Sequence, residues 1–138
     1  MPLDKDTILL QSADKYLNDE QLDFFKALLI DKQAELITRV RRRELSITEV
    51  EQVSDVADLG TQEEARSFTL QLLHREREDA ADISAALSRI ESGEYGYCDM
   101  TGEEIGLKRL MLYPTANHTV ESQTRLEQMG RHMRARAG

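Results

Sequence analysis

Asp55 and Asp58 stand three positions apart in the stretch Ser54-Asp55-Val56-Ala57-Asp58-Leu59-Gly60-Thr61. Carboxylates so placed can close a turn or cap a helix through their own backbone bonding. They can also face a hard cation or a charged partner. Two exposed carboxylates ~6 Å apart repel by only ~0.7 kcal/mol in water, so structure alone tolerates the pair. The second chemical feature is Arg39-Val40-Arg41-Arg42-Arg43, the strongest basic cluster in the chain. Its arginines spread around a helix, so some face solvent, in contact with acids one turn away or with an acidic partner surface. The third is Cys98, the only cysteine, which excludes an intrachain disulfide. With no resolving thiol it reads as a small buried packing residue and not a redox sensor. His74, His118 and His132 have no ligand spacing. No nucleophile–base constellation and no phosphate loop occurs, so no enzyme is expected.

Long helices must position these groups. Residues 3–59 contain neither Gly nor Pro, and neither do residues 61–92. Two uninterrupted helices joined by a short turn form an antiparallel hairpin, with Asp55 and Asp58 at its tip. Asn18-Asp19-Glu20-Gln21 reads as the start of the first helix, with Asn18 as N-cap and Gln21 three residues on. Leu22, Leu29, Leu36 and Val50 share one heptad column, interrupted by Arg43. Val40 and Ile47 share the partner column, in which Lys26 and Gln33 also fall. The period near 3.5 marks a coiled-coil seam. The second helix is expected to start at Thr61-Gln62-Glu63-Glu64, a capping box, and to bury Ala65, Phe68, Leu72, Ala80, Ile83, Leu87 and Ile90. Gly93 ends it as C-cap. About 30 residues per arm give roughly 45 Å at 1.5 Å per residue.

Beyond Gly93 the texture changes. Gly93, Gly96, Gly102, Gly106 and Pro114 mark a turn-rich knob, and a closing helix begins at Thr119 or Glu121 and runs to about Arg134. The expected organisation is an arm over 1–18, a hairpin over 19–92 with its tip at 54–61, a knob over 93–118, and a helix and tail over 119–138. The fold class is mainly α: a long coiled-coil hairpin with a small knob and a C-terminal helix.

Composition narrows the partners. The 138 residues carry a net charge of −8 with a pI near 4.9, which gives no general attraction to a phosphate backbone. Charged residues make up 32% and aromatics 5%, a balance suited to exposed helices and not to a large core. The apolar run Ile8-Leu9-Leu10 is too short for a signal peptide, and no stretch approaches a membrane span. A soluble, cytoplasmic protein is expected.

Residues 95–127 carry a more specific pattern. Tyr95-Gly96-Tyr97-Cys98, Gly102, Ile105, Arg109-Leu110 and Pro114-Thr115-Ala116 match YGYCxxCGxxIxxxRLxxxPxxxxCxxC, the four-cysteine knob of the DksA/TraR family. Tyr16-Leu17-Asn18-Asp19-Glu20-Gln21-Leu22 and the Asp55-x-x-Asp58 tip also resemble that family, so the likeness spans nearly the whole chain from Tyr16. The departure lies at the metal positions, where Cys98 is followed by Thr101, Thr119 and Ser122. A tetrahedral structural zinc needs four good donors, and one thiolate with three neutral hydroxyls does not supply them. The chain thus resembles a zinc-independent branch of the family, with no metal expected. Apolar burial by Tyr95, Tyr97, Ile105, Leu107, Leu110, Met111, Leu112, Val120 and Leu126, with hydrogen bonds among the three hydroxyls, is expected to replace the ion.

The resemblance implies a regulator that binds RNA polymerase directly, without contacting DNA, and acts as a monomer in the stringent response. Asp55 and Asp58 would reach through the secondary channel toward the active site and weaken open promoter complexes, such as those at rRNA promoters. The family's DxxDxA tip ends here in Gly60. Arg75, in Arg75-Glu76-Arg77, matches a family arginine expected to dock on polymerase. Guanosine tetraphosphate is the family's co-regulator, but the basic positions that hold it align with Asp82, Tyr113 and Gln123, none of them cationic. Weakened synergy follows, since phosphate loses its charge-assisted partners. Two rivals remain: a transcript-cleavage factor whose tip acids help hold Mg²⁺, and a coiled-coil adaptor with no role in transcription.

Overall fold

The computed structural model describes residues 5–10, 16–52 and 59–137. Five helices follow in order: α1 (Lys5–Leu10), α2 (Asp19–Gln52), α3 (Leu59–Ser92), α4 (Leu107–Leu112) and α5 (Val120–Ala137). At 34 residues each, α2 and α3 extend about 51 Å at 1.5 Å per residue. The chain divides into two compact units, one of residues 1–28 with 85–138 and one of residues 29–84.

Local chemistry explains most helix ends. The Gln21 N–H donates to Asn18 Oδ1 at 2.9 Å and the Asn18 N–H donates to Gln21 Oε1 at 3.1 Å, the reciprocal capping box that starts α2. At the end of α3, Gly93 adopts φ 82°, and the Glu94 N–H turns back to the Arg89 carbonyl at 2.9 Å. A residue with a Cβ would be strained in that conformation. The start of α3 differs from expectation. The helix begins at Leu59, so Thr61 lies inside its first turn instead of capping it. Gly60 continues the helix with open space around its Cα, because helical φ is available to glycine at an entropic cost of only ~1 kcal/mol. In α5, the Ser122 N–H donates to Thr119 Oγ1 at 3.2 Å, which makes Thr119 the N-cap.

The unit of residues 29–84 is an antiparallel helix pair. Gln33 faces Ser84, Arg43 pairs with Glu76, and Arg77 Nη2 lies 3.0 Å from Glu44 Oε1. Leu29 and Leu36 of α2 are buried as the heptad column requires. In α3 the buried positions are Leu73, Glu76 and Ile83, with Thr69, Leu72 and Ala80 partly covered. Expected core residues Ala65 and Phe68 are exposed, Phe68 at 62%. The steps 69, 73, 76, 80, 83 keep the 3.5 period of α2, and Phe68 stands one residue out of phase. Arg43, which interrupts the apolar column, meets the Glu76 carboxylate there, so the break in the seam is a charge pair.

The other unit gathers the knob with both chain ends. Its core is Ile8, Leu17, Phe25, Ala86, Tyr95, Cys98, Ile105, Leu110 and Met111. Phe25 and Tyr95 pack with ring centroids 5.8 Å apart and planes tilted by 49°, and aromatic rings bury ~150–250 Å² each. α1 packs on α4. Three residues expected in this core are outside it: Leu112 is 70% exposed, Val120 56% and Tyr97 37%. Leu112 ends α4 on the side away from Leu110 and Met111, and Val120 is the first residue of α5. Ile8, Leu17 and Phe25 take their places, side chains far away in sequence.

Candidate functional site

The knob forms a small hairpin. Tyr97 and Glu104 form an antiparallel bridge, the Cys98 N–H donates to the Glu103 carbonyl at 2.8 Å, and the Ile105 N–H to the Gly96 carbonyl at 2.8 Å. Gly102, at φ 75°, closes the turn by donating to the Cys98 carbonyl at 2.8 Å. Around it, Tyr95 Oη donates to the Pro114 carbonyl at 2.7 Å, Arg89 Nη2 to the Thr115 carbonyl at 3.2 Å, and Arg109 Nε to the His118 carbonyl at 3.0 Å. The Asp99 N–H reaches the Asn117 carbonyl at 3.0 Å. These bonds bring residues 98–99 against residues 117–122.

Cys98, Thr119 and Ser122 come together in the interior. Cys98 Sγ lies 3.3 Å from Ser122 Oγ, and Thr119 Oγ1 donates to Ser122 Oγ at 3.0 Å. All three are buried. Thr101, expected to join them, is exposed, yet its hydroxyl reaches the Cys98 sulfur while accepting from the Glu103 N–H at 3.3 Å. Burial pushes the Cys98 thiol up, but hydrogen bonds from the Ser122 and Thr101 hydroxyls and from the backbone at Thr119 and Thr101 overcome it, bringing it down to about 5. In the ionised form Thr119 donates to Ser122 and Ser122 donates to the thiolate, a chain in which each bond polarises the next. A four-thiolate zinc centre does not fit this arrangement. Three of the four positions are hydroxyls, and two of them are already committed to each other and to the sulfur.

Two further side chains are placed here: His118, which the sequence sets beside the former ligand position Thr119, and Asp99, which sequence spacing did not reveal. Asp99 and His118 approach Cys98, and the three ligand-type atoms lie within 4.8 Å of one another. His118 Nδ1 is 2.6 Å from Asp99 Oδ1. Tyr16 is the other omission. Its hydroxyl donates to the Gly96 carbonyl at 2.9 Å and accepts from the Gly106 N–H at 2.9 Å, tying the chain's first segment to both sides of the hairpin. Burial raises its pKa to about 12. Leu17, next to it, has φ 54° and projects against Gly96, where a Cβ would lie 2.1 Å from Leu17 Cδ1.

The remaining sequence-derived residues are dispersed. Asp55 and Asp58 lie outside the described residues. Arg75 is exposed on α3, as are Arg39, Arg41 and Arg42 on α2, and Arg43 is half-buried. Asp82 is exposed on α3, in the unit of residues 29–84. In the other unit, Tyr113 lies under the Arg109 guanidinium at 5.6 Å, and the Gln123 amide donates to Glu127 Oε1 at 3.3 Å. No helix among the described residues is long and apolar enough to cross a membrane.

Comparison with known proteins matches both parts. Residues 21–90 match the N-terminal domain of DnaK suppressor protein DksA, and residues 93–128 match the prokaryotic dksA/traR C4-type zinc finger. The RNA polymerase-binding transcription factor DksA of Caulobacter vibrioides (strain NA1000 / CB15N) is 37% identical over 133 residues, covering 91% of this chain and 94% of that protein. The protein of the same name from Escherichia coli (strain K12) is 32% identical over 116 residues, covering 83% and 77%. The solved structure of transcription factor DksA2 from Pseudomonas aeruginosa superposes with a TM-score of 0.85 at 40% identity, covering 93% of this chain and 98% of that one. With matches over both the helical hairpin and the knob, and with relatives above 30% identity along most of its length, the chain belongs to the DksA/TraR family.

Proposed function

We propose that this protein is an RNA polymerase-binding transcription regulator that folds and acts without zinc. The first half of that reading is supported by the relatives' shared description as RNA polymerase-binding transcription factors and by their coverage of nearly the whole chain. The second half rests on one observation: Cys98, Ser122 and Thr119 hydrogen-bond to one another where the family's zinc finger has thiolates. Regulation is not catalysis, so the protein is not an enzyme, and it works in the cytoplasm with polymerase, without direct DNA contact. The hairpin presents Asp55 and Asp58 to the polymerase secondary channel, where they weaken open promoter complexes, and Arg75 contributes to docking from the solvent-facing side of α3. Guanosine tetraphosphate acts weakly, since Asp82, Tyr113 and Gln123 offer a phosphate no cation.

The test is transcription from an rRNA promoter with chelator-treated protein. Inhibition by the metal-free chain, abolished in the Asp55→Asn/Asp58→Asn variant, is the expected outcome. An inactive metal-free chain that zinc restores would refute zinc independence, and a double Asn variant as potent as the parent would refute the tip's role. Transcript fragments from a backtracked complex would favour a cleavage factor. Guanosine tetraphosphate synergy equal to that of a four-cysteine relative would overturn the weakened-ligand reading.

A further inference from the structure

Cys98, Asp99 and His118 offer a sulfur, a carboxylate oxygen and a ring nitrogen within 4.8 Å of one another. Of these only Cys98 occupies a position of the family's four-cysteine pattern, so the trio is a different donor set. Main-chain hydrogen bonds hold its parts: Cys98 N–H to Glu103, Asp99 N–H to Asn117, and Arg109 to the His118 carbonyl. His118 Nδ1 is buried and, although 2.6 Å from Asp99 Oδ1, makes no well-directed hydrogen bond among the described residues. A buried ring nitrogen beside a carboxylate, with no directed bond, is an arrangement that a cation between them would satisfy. Asp99 is half exposed, at 53%, which gives an ion a route from solvent.

The donor chemistry selects the ion. A thiolate, an imidazole and a carboxylate suit Zn²⁺ or Co²⁺ and disfavour Mg²⁺ and Ca²⁺, which prefer all-oxygen ligands. One thiolate and one carboxylate match the charge of a divalent ion. With Zn–S near 2.3 Å and Zn–N near 2.0 Å, tetrahedral donors stand about 3.5 Å apart. Donors up to 4.8 Å apart must close by up to about 1.3 Å, and the His118 Nδ1–Asp99 Oδ1 pair, at 2.6 Å, must open by roughly 0.9 Å, which rotation of the exposed Asp99 side chain supplies. Three protein ligands leave a fourth position for water, the composition of an open site and not of a closed structural one.

We infer that Cys98, Asp99 and His118 form a three-donor site that takes up one Zn²⁺-like cation reversibly on the already folded knob. The inference goes beyond the regulator reading, which needs no metal. Its consequence is a knob whose fold is metal-independent but which still responds to metal.

The full chain, stripped with chelator, is titrated with Co²⁺ and followed by absorbance. The expected result is one Co²⁺ per chain, with a thiolate-to-cobalt charge-transfer band and visible bands of tetrahedral intensity, displaced by added Zn²⁺. Cys98→Ser removes the charge-transfer band. Asp99→Asn and His118→Gln each weaken binding by at least ~10-fold, the lower end of the loss seen even for outer-shell partners. Far-ultraviolet circular dichroism of the metal-free variants confirms that they fold, and Asp99→Asn, at an exposed side chain, serves should Cys98→Ser not. Absence of the charge-transfer band at stoichiometric Co²⁺ overturns the site, as does parental affinity in both Asp99→Asn and His118→Gln. Failure of the metal-free chain in the promoter assay would sink the zinc-independent regulator and leave this titration standing.

Discussion

The Arg43–Glu76 pair makes an asymmetric prediction. Glu76 sits in the helical seam with its side chain 9% exposed, and its Oε2 has no hydrogen-bond partner among the described residues. Arg43 pairs with it from α2 but is 32% exposed. Arg43→Leu therefore strands a buried carboxylate, a loss of ~3–5 kcal/mol for fully buried pairs. Solvent reaching the arginine side places this one at the lower end, about 3 kcal/mol. Glu76→Leu leaves a guanidinium that can turn to water, so its cost is below ~1 kcal/mol. The double Leu variant closes an apolar column with Leu29, Leu36 and Leu73 and is as stable as the parent or more so, as replaced buried ion pairs often are. Amide hydrogen exchange across residues 29–84 reads the opening of this unit separately from the other. Arg43→Leu should speed the slowest amides by about a hundredfold, at tenfold per ~1.4 kcal/mol, and the second substitution should restore them. Equal losses in the two single variants, or additive losses in the double, would refute the assignment of Glu76 as the costly partner.

Three further outcomes follow from the knob. Tyr16→Phe removes both hydroxyl bonds, leaves the Gly106 N–H without its partner and the Gly96 carbonyl with the Ile105 N–H alone, and should cost ~1–3 kcal/mol, read as a lower melting temperature; an unchanged melting temperature would deny Tyr16 that role. Gly96→Ala forces a methyl to within 2.1 Å of Leu17 Cδ1 at φ 89° and should destabilise by more than ~1 kcal/mol, whereas Gly102→Ala, with open space at φ 75°, carries the backbone strain alone and should cost less. Cys98 should titrate near 5 by thiolate absorbance, and Ser122→Ala should move that value up. A group lowered from 9.0 to about 5 on folding gives stability that is fully present above pH 9 and drains away as pH falls toward 5. Denaturant midpoints in that window should fall with pH, and a thiol inflection at 8 or above would contradict the hydrogen-bonding account.

What could be read from residue order was local. The Asn18–Gln21 box, the stop at Gly93 and the Leu29–Leu36 column are each decided within a turn or two of chain, and each is found in place. The phase of α3 was hidden because its decisive residue is charged. Glu76 looks like a surface residue until Arg43, 33 positions earlier, is seen to complete it. Reading both interruptions together, a cation in one column and an anion in the other, would have found the register. Leu112 and Val120 were misplaced because apolar content alone does not say which side of a helix faces inward. Asp99 and Tyr16 escaped for a related reason, since their partners lie 19 and 80 or more residues away. α4, at six residues with no side-chain cap at Gly106, is held by packing and has no start signal to read.

Thr119 shows why hydroxyls can stand where metal ligands would. Its oxygen accepts the Ser122 N–H as the cap of α5, while its proton goes to the Ser122 hydroxyl and so toward Cys98. A thiol at this position is a poorer cap, since N-cap preference runs to Ser, Thr, Asp and Asn. On the zinc-independent reading proposed above, exchange of thiols for hydroxyls gives up a metal's cross-link and strengthens the helix start next to it. The loss is further offset by Tyr16, which bridges the hairpin from outside the 93–128 finger segment, and by Tyr95, whose hydroxyl reaches the Pro114 carbonyl. Stability of the knob thus depends on side chains outside the finger segment, on Ile8, Leu17 and Phe25 as much as on its own turns. A finger excised at residues 93–128 would lack all three and keep only Tyr95, Cys98, Ile105, Leu110 and Met111 of that core, too little apolar burial to fold alone.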